Sequence, residues 1–224
     1  MLELLYPRKC CVCSDVLERG QEHICKSCME DFPYTYFWNW RDHPWEKALW
    51  GRCNFRFVCS LFYYSRDNDY SRLDKRIKYA GDISLGRWLG AMLGEKMKIL
   101  CEDVDYIVPV PVHPIRRWER GYNQAEVIAK GIEKGLCRSS ILYNALYRRK
   151  NSVSQTSLDV NDKWNNVKGV FGLKREACEM LAGKHVLIVD DLLTTGATAQ
   201  ACFEALAQVP GIIVSFATLA AVRR

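Results

Sequence analysis

Apolar and polar positions along the chain fall into two periods. Residues 104–110, 186–189 and 212–220 are short, mostly apolar runs, and residues 55–64 alternate before turning continuously apolar. Runs of this length bounded by turn residues read as buried strands. Between them apolar residues recur at helical spacing. Leu85, Trp88, Leu89, Met92 and Leu93 mark one amphipathic helix from Gly81 to about Leu100. Ala125, Ile128, Ala129 and Ile132 mark a second, and Ala199, Cys202, Phe203 and Leu206 a third, because steps of three and four residues share one helix face. Residues 141–147 predict a further strand, and the polar, aperiodic stretch 149–168 predicts a long loop. Strands alternating with helices predict an α/β fold with a parallel sheet covered on both faces. The chain has no internal repeat and no low-complexity segment.

The 224 residues leave room for one medium-sized domain and a small appendage. The expected division is 1–50, cysteine-rich and aromatic, and 51–224, the α/β body. Apolar content of 49% and charged content of 26% exclude a disordered chain. The net charge of +6 suits an anionic small molecule as well as a nucleic acid. No apolar run approaches the length of about eighteen residues that a membrane span needs. The start MLELLYPRKC lacks the basic and apolar regions of a signal peptide, so a cytoplasmic protein is expected. Eleven cysteines, four of them in two close pairs, fit a reducing compartment and one metal site better than a disulfide framework.

The chemistry concentrates where the apolar run 186–189 meets Asp190-Asp191. Leu192-Leu193-Thr194-Thr195-Gly196-Ala197-Thr198 follows and opens a helix. Ligands of open α/β sheets bind at the carboxyl ends of strands. A helix start offers unpaired N–H groups and partial positive charge to a phosphate. Gly196 permits close backbone approach, the threonines add hydroxyl donors, and the two carboxylates accept from sugar hydroxyls. Taken singly these residues also suit a plain loop and helix cap, but adjacent acids at a buried strand end are costly without a partner. The string resembles the signature of the type I phosphoribosyltransferases. That resemblance implies a site for 5-phosphoribosyl-1-pyrophosphate (PRPP) at Asp190, Asp191, Thr194, Thr195, Gly196, Ala197 and Thr198. The acids would hold the ribose, the Thr-Gly loop the 5′-phosphate, and Mg²⁺ would bridge pyrophosphate and ribose.

A second string runs Pro109-Val110-Pro111-Val112-His113-Pro114, then Arg116-Arg117-Trp118-Glu119-Arg120-Gly121-Tyr122-Asn123-Gln124 into the next helix. Such a stretch serves as a solvated helix start, or its three arginines meet a polyanion while Asn123 and Gln124 supply neutral donors. It resembles the PVPxHPxRxxxRGxNQ block of the ComF family, a branch of the phosphoribosyltransferases linked to DNA uptake. The resemblance places the pyrophosphate at Val110, Pro111, His113, Arg116, Arg117, Arg120, Asn123 and Gln124. It extends to Ile77-Lys78-Tyr79-Ala80-Gly81-Asp82, to Gln155-Thr156 with Leu158, and to Asn166-Val167-Lys168-Gly169-Val170-Phe171. One position departs: Lys163 stands where the family carries arginine, which keeps the charge and loses the bidentate geometry.

Cys10-x₂-Cys13 and Cys25-x₂-Cys28 are two knuckles separated by eleven residues. Two such pairs complete a tetrahedral, structural Zn²⁺ site with no open position. Reduced cysteines without metal are the plainer reading, and Cys11 and His23 are the competing ligands. Family members often carry this finger. Cys53 and Cys59 fall on a predicted strand and read as core. The aromatics between Phe32 and Trp50 either pack the finger onto the body, the commoner fate of Trp and Tyr, or form a stacking platform for single-stranded nucleic acid.

The resemblance implies an Mg²⁺-dependent transfer of phosphoribosyl from PRPP to a nitrogenous acceptor, with segment 149–168 closing as a lid. The alternative is a single-stranded DNA-binding module of the DNA-uptake machinery that keeps the PRPP site as a sensor or relic. Amidophosphoribosyltransferase activity is not expected. The glutamine-dependent enzyme needs a glutaminase domain with an N-terminal nucleophilic cysteine, and here Leu2 follows Met1.

Overall fold

The computed structural model describes residues 7–136, 139–149 and 169–224. All but the first residue of the expected lid, with Gln155, Thr156, Leu158, Lys163, Asn166, Val167 and Lys168, lie outside the described residues. The N-terminal part carries α1 (Lys26–Glu30), a 3₁₀ turn at Phe37–Asn39 and α2 (Pro44–Leu49). The body opens with β1 (Val58–Tyr64), α3 (Ser71–Tyr79), α4 (Ile83–Lys96) and β2 (Tyr106–Pro109). It continues through α5 (Pro114–Arg120), α6 (Gln124–Leu136), β3 (Ser140–Ile141), β4 (Leu146–Arg148) and β5 (Phe171–Leu173). It ends with α7 (Arg175–Leu181), β6 (His185–Leu193), α8 (Ala197–Leu206) and β7 (Ile213–Val222).

Among the described residues, five strands form one sheet in the order β1-β7-β6-β2-β3, every neighbouring pair parallel. The fold is the expected α/β architecture, a parallel sheet flanked by helices. β6 lies at its centre, which explains why His185 through Val189 are all buried and why apolar residues run there without alternation. The chain moves outward from β2 to β3 and in the opposite sense from β6 to β7. A crevice therefore opens between β2 and β6 at their carboxyl ends, where such sheets bind ligands.

Three elements differ from the sequence expectation. β6 continues through Asp190 and Asp191, because β7 offers it a partner as far as Ala221: Asp190 pairs with Thr218 and Leu193 with Ala221. The acids are thus strand residues. The expected strand 141–147 divides between two sheets. Ser140–Ile141 edges the main sheet, whereas Leu146–Arg148 pairs antiparallel with Phe171–Leu173 after a turn through Asn144 at φ +58°. The arginine block and the helix after it are two helices, since Gly121 closes α5 at φ +77°.

Helices α4 and α6 pack backbone to backbone. A Cβ at Gly90 would lie 2.4 Å from the Ile128 carbonyl oxygen, and one at Gly131 would lie 2.2 Å from that of Arg87. The aromatic segment packs on the sheet edge. Trp45 is buried and donates its indole N–H to the Val222 carbonyl at 2.8 Å. His43 stacks on Phe37 at 3.8 Å and meets the Val58 carbonyl through Nε2 at 2.8 Å. No helix among the described residues is long and apolar enough to cross a membrane.

Candidate functional site: a pocket at the carboxyl ends of the strands

A cavity of about 610 Å³ occupies the crevice between β2 and β6, within the range of small-molecule sites. Its walls bring together Val110, Pro111, His113, Arg116, Arg120 and Gln124 with Asp190, Asp191, Thr194 and Thr198. Thr195, Gly196 and Ala197 line a small recess that also touches Asp190. Gly196, at φ +84°, is the N-cap of α8, and Thr195 Oγ1 accepts the Ala197 N–H at 3.3 Å. The peptide N–H groups at the start of α8 therefore meet the recess.

Adjacent strand residues face opposite ways, so Asp190 and Asp191 have different surroundings. Asp191 is buried, and its Oδ2 accepts from Gln124 Nε2 at 2.9 Å and Lys78 Nζ at 3.2 Å. Lys78 also bridges to Asp74 at 3.0 Å. Burial pulls the Lys78 ammonium down, but Asp191 and Asp74 outweigh it and hold its pKa above the ordinary lysine value. Burial raises Asp74 in spite of Lys78. Asp190 has no such counter-ion. Burial first, and the Asp191 charge second, push its carboxyl up to about 8, against the Asp191 N–H at 2.9 Å and the Lys78 charge.

The opposite wall is cationic. The Arg120 guanidinium lies 5.2 Å over the Tyr79 ring, and its Nη1 is buried without a hydrogen-bond partner. Arg148 lies 5.7 Å over Phe171, and burial together with the nearby Arg116 charge pulls its pKa below the ordinary arginine value. Rings rather than carboxylates hold these two guanidiniums, which leaves N–H donors for a ligand. Arg117 points elsewhere, to Glu126 at 3.3 Å. Asn123 is buried under the Val110 loop: its Nδ2 donates to the Val110 carbonyl at 3.0 Å and its Oδ1 accepts the Ala125 N–H at 3.0 Å. Three arginines do converge on the pocket, and the third is Arg148.

The four cysteine sulfurs of the N-terminal knuckles, Cys10, Cys13, Cys25 and Cys28, lie within 4.8 Å of one another. Cys13 and Cys25 stand 3.7 Å apart, against the roughly 3.8 Å edge of a tetrahedron with Zn–S bonds of about 2.3 Å. Burial raises the Cys10 thiol, but backbone N–H groups of Cys25, Cys13 and Val12 outweigh it and bring it to about 7, whereas burial and the neighbouring sulfurs push the Cys28 thiol up. The cluster has the geometry to hold a zinc ion. Cys11 and His23 gather instead with Asp82. There Asp82 Oδ2 takes Arg76 at 2.9 Å and Oδ1 takes the Leu85 N–H at 3.1 Å, so that carboxylate serves as a braced helix cap.

The phosphoribosyl transferase domain family matches residues 119–224, which carry β6, the Thr-Gly loop and α8. Competence protein ComFC of Bacillus subtilis is 26% identical over 88% of this chain and 78% of its own length. Competence protein F of Haemophilus influenzae is 36% identical over 41% of this chain, a match that spans only 39% of the Haemophilus protein. The chain is similar to the ComF competence proteins, and its residues 119–224 carry a phosphoribosyltransferase-type domain. A solved structure described as the allosteric regulatory enzyme of purine biosynthesis covers 58% of this chain and 25% of its own, at 18% identity and a TM-score of 0.33, too low to carry an argument.

Eight pocket residues escaped the sequence reading of the site, among them Lys78, Tyr79, Arg148 and Phe171. Lys78 and Tyr79 fall inside a string that resembles the family, so a signal existed without a role attached. Phe171 likewise ends the string 166–171 that resembles the family, whereas Arg148 reaches the pocket only through its pairing with Phe171 between β4 and β5, and no local pattern announces that.

Proposed function

We propose that the pocket binds PRPP with Mg²⁺ and that the chain transfers the phosphoribosyl group to a nitrogenous acceptor. One observation carries this: a cavity sets two acids against ring-held arginines, and the Thr-Gly helix start lines a recess that adjoins it at Asp190. That is the charge pattern of a sugar with a phosphate at one end and a pyrophosphate at the other. Asp190 and Asp191 accept from the ribose hydroxyls, and residues 194–198 take the 5′-phosphate through N–H and hydroxyl donors. Arg116, Arg120, Arg148 and the loop Val110–His113 face the pyrophosphate. Arg117 and Asn123 act from behind the pocket wall.

Mg²⁺ bound together with PRPP would offset the charge of the leaving group. The chain's own part is electrostatic. As the C1–O bond breaks, its electron pair goes to pyrophosphate, and the arginines are already placed for that charge; the acceptor nitrogen then forms the C1–N bond. Titration calorimetry of PRPP with and without Mg²⁺ tests the site, and pyrophosphate release across a panel of nucleobases tests transfer. PRPP without measurable affinity in Mg²⁺ sinks both.

A second reading, a single-stranded DNA contact in uptake, is favoured by α5. Trp118 is 86% exposed there, next to Arg116 and Arg117, on a helix with no buried residue. A free ring between cations suits a stacked base and its phosphates. If it holds, oligothymidylate binds with a steep salt dependence and Trp118→Ala weakens it while sparing ribose 5-phosphate.

A further inference from the structure

The last turn of α3 sends Lys78 and Tyr79 into the pocket, and it belongs to neither the acid motif nor the arginine block. The Lys78 ammonium sits between two buried carboxylates, Asp74 one turn back on its own helix at 3.0 Å and Asp191 on β6 at 3.2 Å. Gln124 donates to the same Asp191 oxygen at 2.9 Å. Two donors thus fix Oδ2, and Oδ1 has no protein partner among the described residues. The neighbouring Tyr79 ring carries Arg120 at 5.2 Å. The other end of α3 is braced on the cysteine knuckles, where Tyr70 Oη donates to the Cys28 carbonyl at 2.7 Å and Arg72 to that of Val12 at 2.8 Å.

We infer that Lys78 is a positioning residue of the ribose side: it supplies the counter-charge of Asp191 and aims its free oxygen at the sugar, while Tyr79 aims Arg120 at the pyrophosphate. One helix turn then sets the spacing between the two halves of the ligand. The physical case is the cost of the alternative. A buried carboxylate that loses its cation takes up a proton rather than stay charged, and a protonated acid is a poorer acceptor for hydroxyl donors. The titratable groups facing Asp191 are Lys78 and Asp74 from α3 and Asp190 from β6, with the Arg120 charge acting on Asp74 as well. Without Lys78, three carboxyls share the site with only Arg120 near them.

The inference rests on the PRPP reading, and ribose 5-phosphate, which lacks the pyrophosphate, separates the two. Its affinity is measured from pH 5.5 to 8.5 for the wild type, Lys78→Met, Lys78→Arg and Tyr79→Leu, each first checked for a cooperative thermal transition. Lys78→Met is expected to weaken ribose 5-phosphate roughly tenfold at neutral pH, with the deficit growing as pH falls. Lys78→Arg keeps the charge and is expected to follow the wild-type pH profile even if Lys78→Met does not fold. Tyr79→Leu is expected to spare ribose 5-phosphate and weaken PRPP. Wild-type protein that binds neither ligand overturns the PRPP reading itself. A wild type that binds, together with a Lys78→Met that matches its affinity or loses the same factor at every pH, overturns the role of Lys78 alone. A Lys78→Arg profile unlike the wild type does the same.

Discussion

The sheet has a depression at each end, and the two are built from opposite materials. The groove at the amino ends, between residues 37–58 and 99–103, is the larger at about 770 Å³ and holds Trp38, Trp40 and Trp50. Its charges are Arg41 and Arg56 against Asp42, Glu46, Glu102 and Asp103. Some are already spent: Arg56 pairs with Asp103, and Glu46 accepts the N–H groups of Asp42 and Val58. The pocket at the carboxyl ends is smaller, yet it keeps Arg120 and Arg148 on rings with donors to spare. Strand ends and unspent cations, more than volume or aromatic content, distinguish a place for a polyanion.

The largest effect should come from the cysteines, which brace α3 and through it the pocket. Purified protein should carry about one zinc per chain, and Cys25→Ser should lose it. The variant should keep the secondary structure of the body and unfold at lower temperature. Elemental analysis beside circular dichroism checks this, and metal-free wild type prepared without chelator would refute it.

Next comes the acid on the pocket floor. Asp191→Asn removes a charged acceptor and leaves Lys78 with Asp74 alone, so PRPP should bind roughly 1.5–3 kcal/mol more weakly. A groove substitution, Trp50→Ala, should leave that affinity untouched in the same calorimeter.

The halves of the pocket can then be separated at about 1–2 kcal/mol per charge-assisted bond. Thr195→Val, at the helix start, should weaken ribose 5-phosphate and PRPP alike. Arg120→Ala should weaken PRPP and spare ribose 5-phosphate. If both ligands respond alike to both variants, the two phosphate positions are misassigned.

These assignments also show how far the sequence was legible. The strand, acids and Thr-Gly loop of β6 stood out because a central parallel strand is apolar on both faces and stops being so where the pocket begins. The sheet and its flanking helices followed from the two periods. What was hidden depends on partners distant in sequence. Asp190 and Asp191 lie within a strand because β7 continues beside them. Arg117 pairs with Glu126 because Gly121 turns the chain between two helices. The spacing of Gly90, Gly94, Gly131 and Gly135 on a helical face says small residue but not which helix arrives, so the backbone contact of α4 and α6 had no local sign.

A smaller effect is expected from the second acid, this time on stability. The folded pKa of Asp190, about 8, lies above the ordinary 3.8. The unfolded chain therefore gives up this proton first, so folding is penalised from about pH 4 upward, and the penalty levels off above pH 8. Asp190→Asn should match the wild type near pH 4 and exceed it at pH 8 by on the order of 1–2 kcal/mol, water at the half-buried edge reducing the full value. Urea unfolding at the two pH values measures it. Equal stability at both would mean that Asp190 ionises freely and that the two acids are alike.

The smallest effect is expected in the groove, and it bears most on the comparison. Trp40 and Trp50 are 48% and 59% exposed, as a stacking platform would require. Trp38, however, is engaged: it meets Tyr34 edge-on at 5.8 Å and carries Lys96 at 5.9 Å. The groove also has more acids than bases, so a strand of phosphates laid along it would meet repulsion where it needs counter-charge. Trp38→Ala with Trp40→Ala should therefore lower thermal stability through lost packing and leave oligothymidylate affinity unchanged. Trp118→Ala, between the arginines of α5, should cost about 1–3 kcal/mol if one base stacks there. Fluorescence anisotropy at two salt concentrations reads all three proteins. Loss of DNA affinity in the groove double variant, with Trp118→Ala unaffected, would reverse the comparison and make the acidic, aromatic end of the sheet the nucleic-acid face.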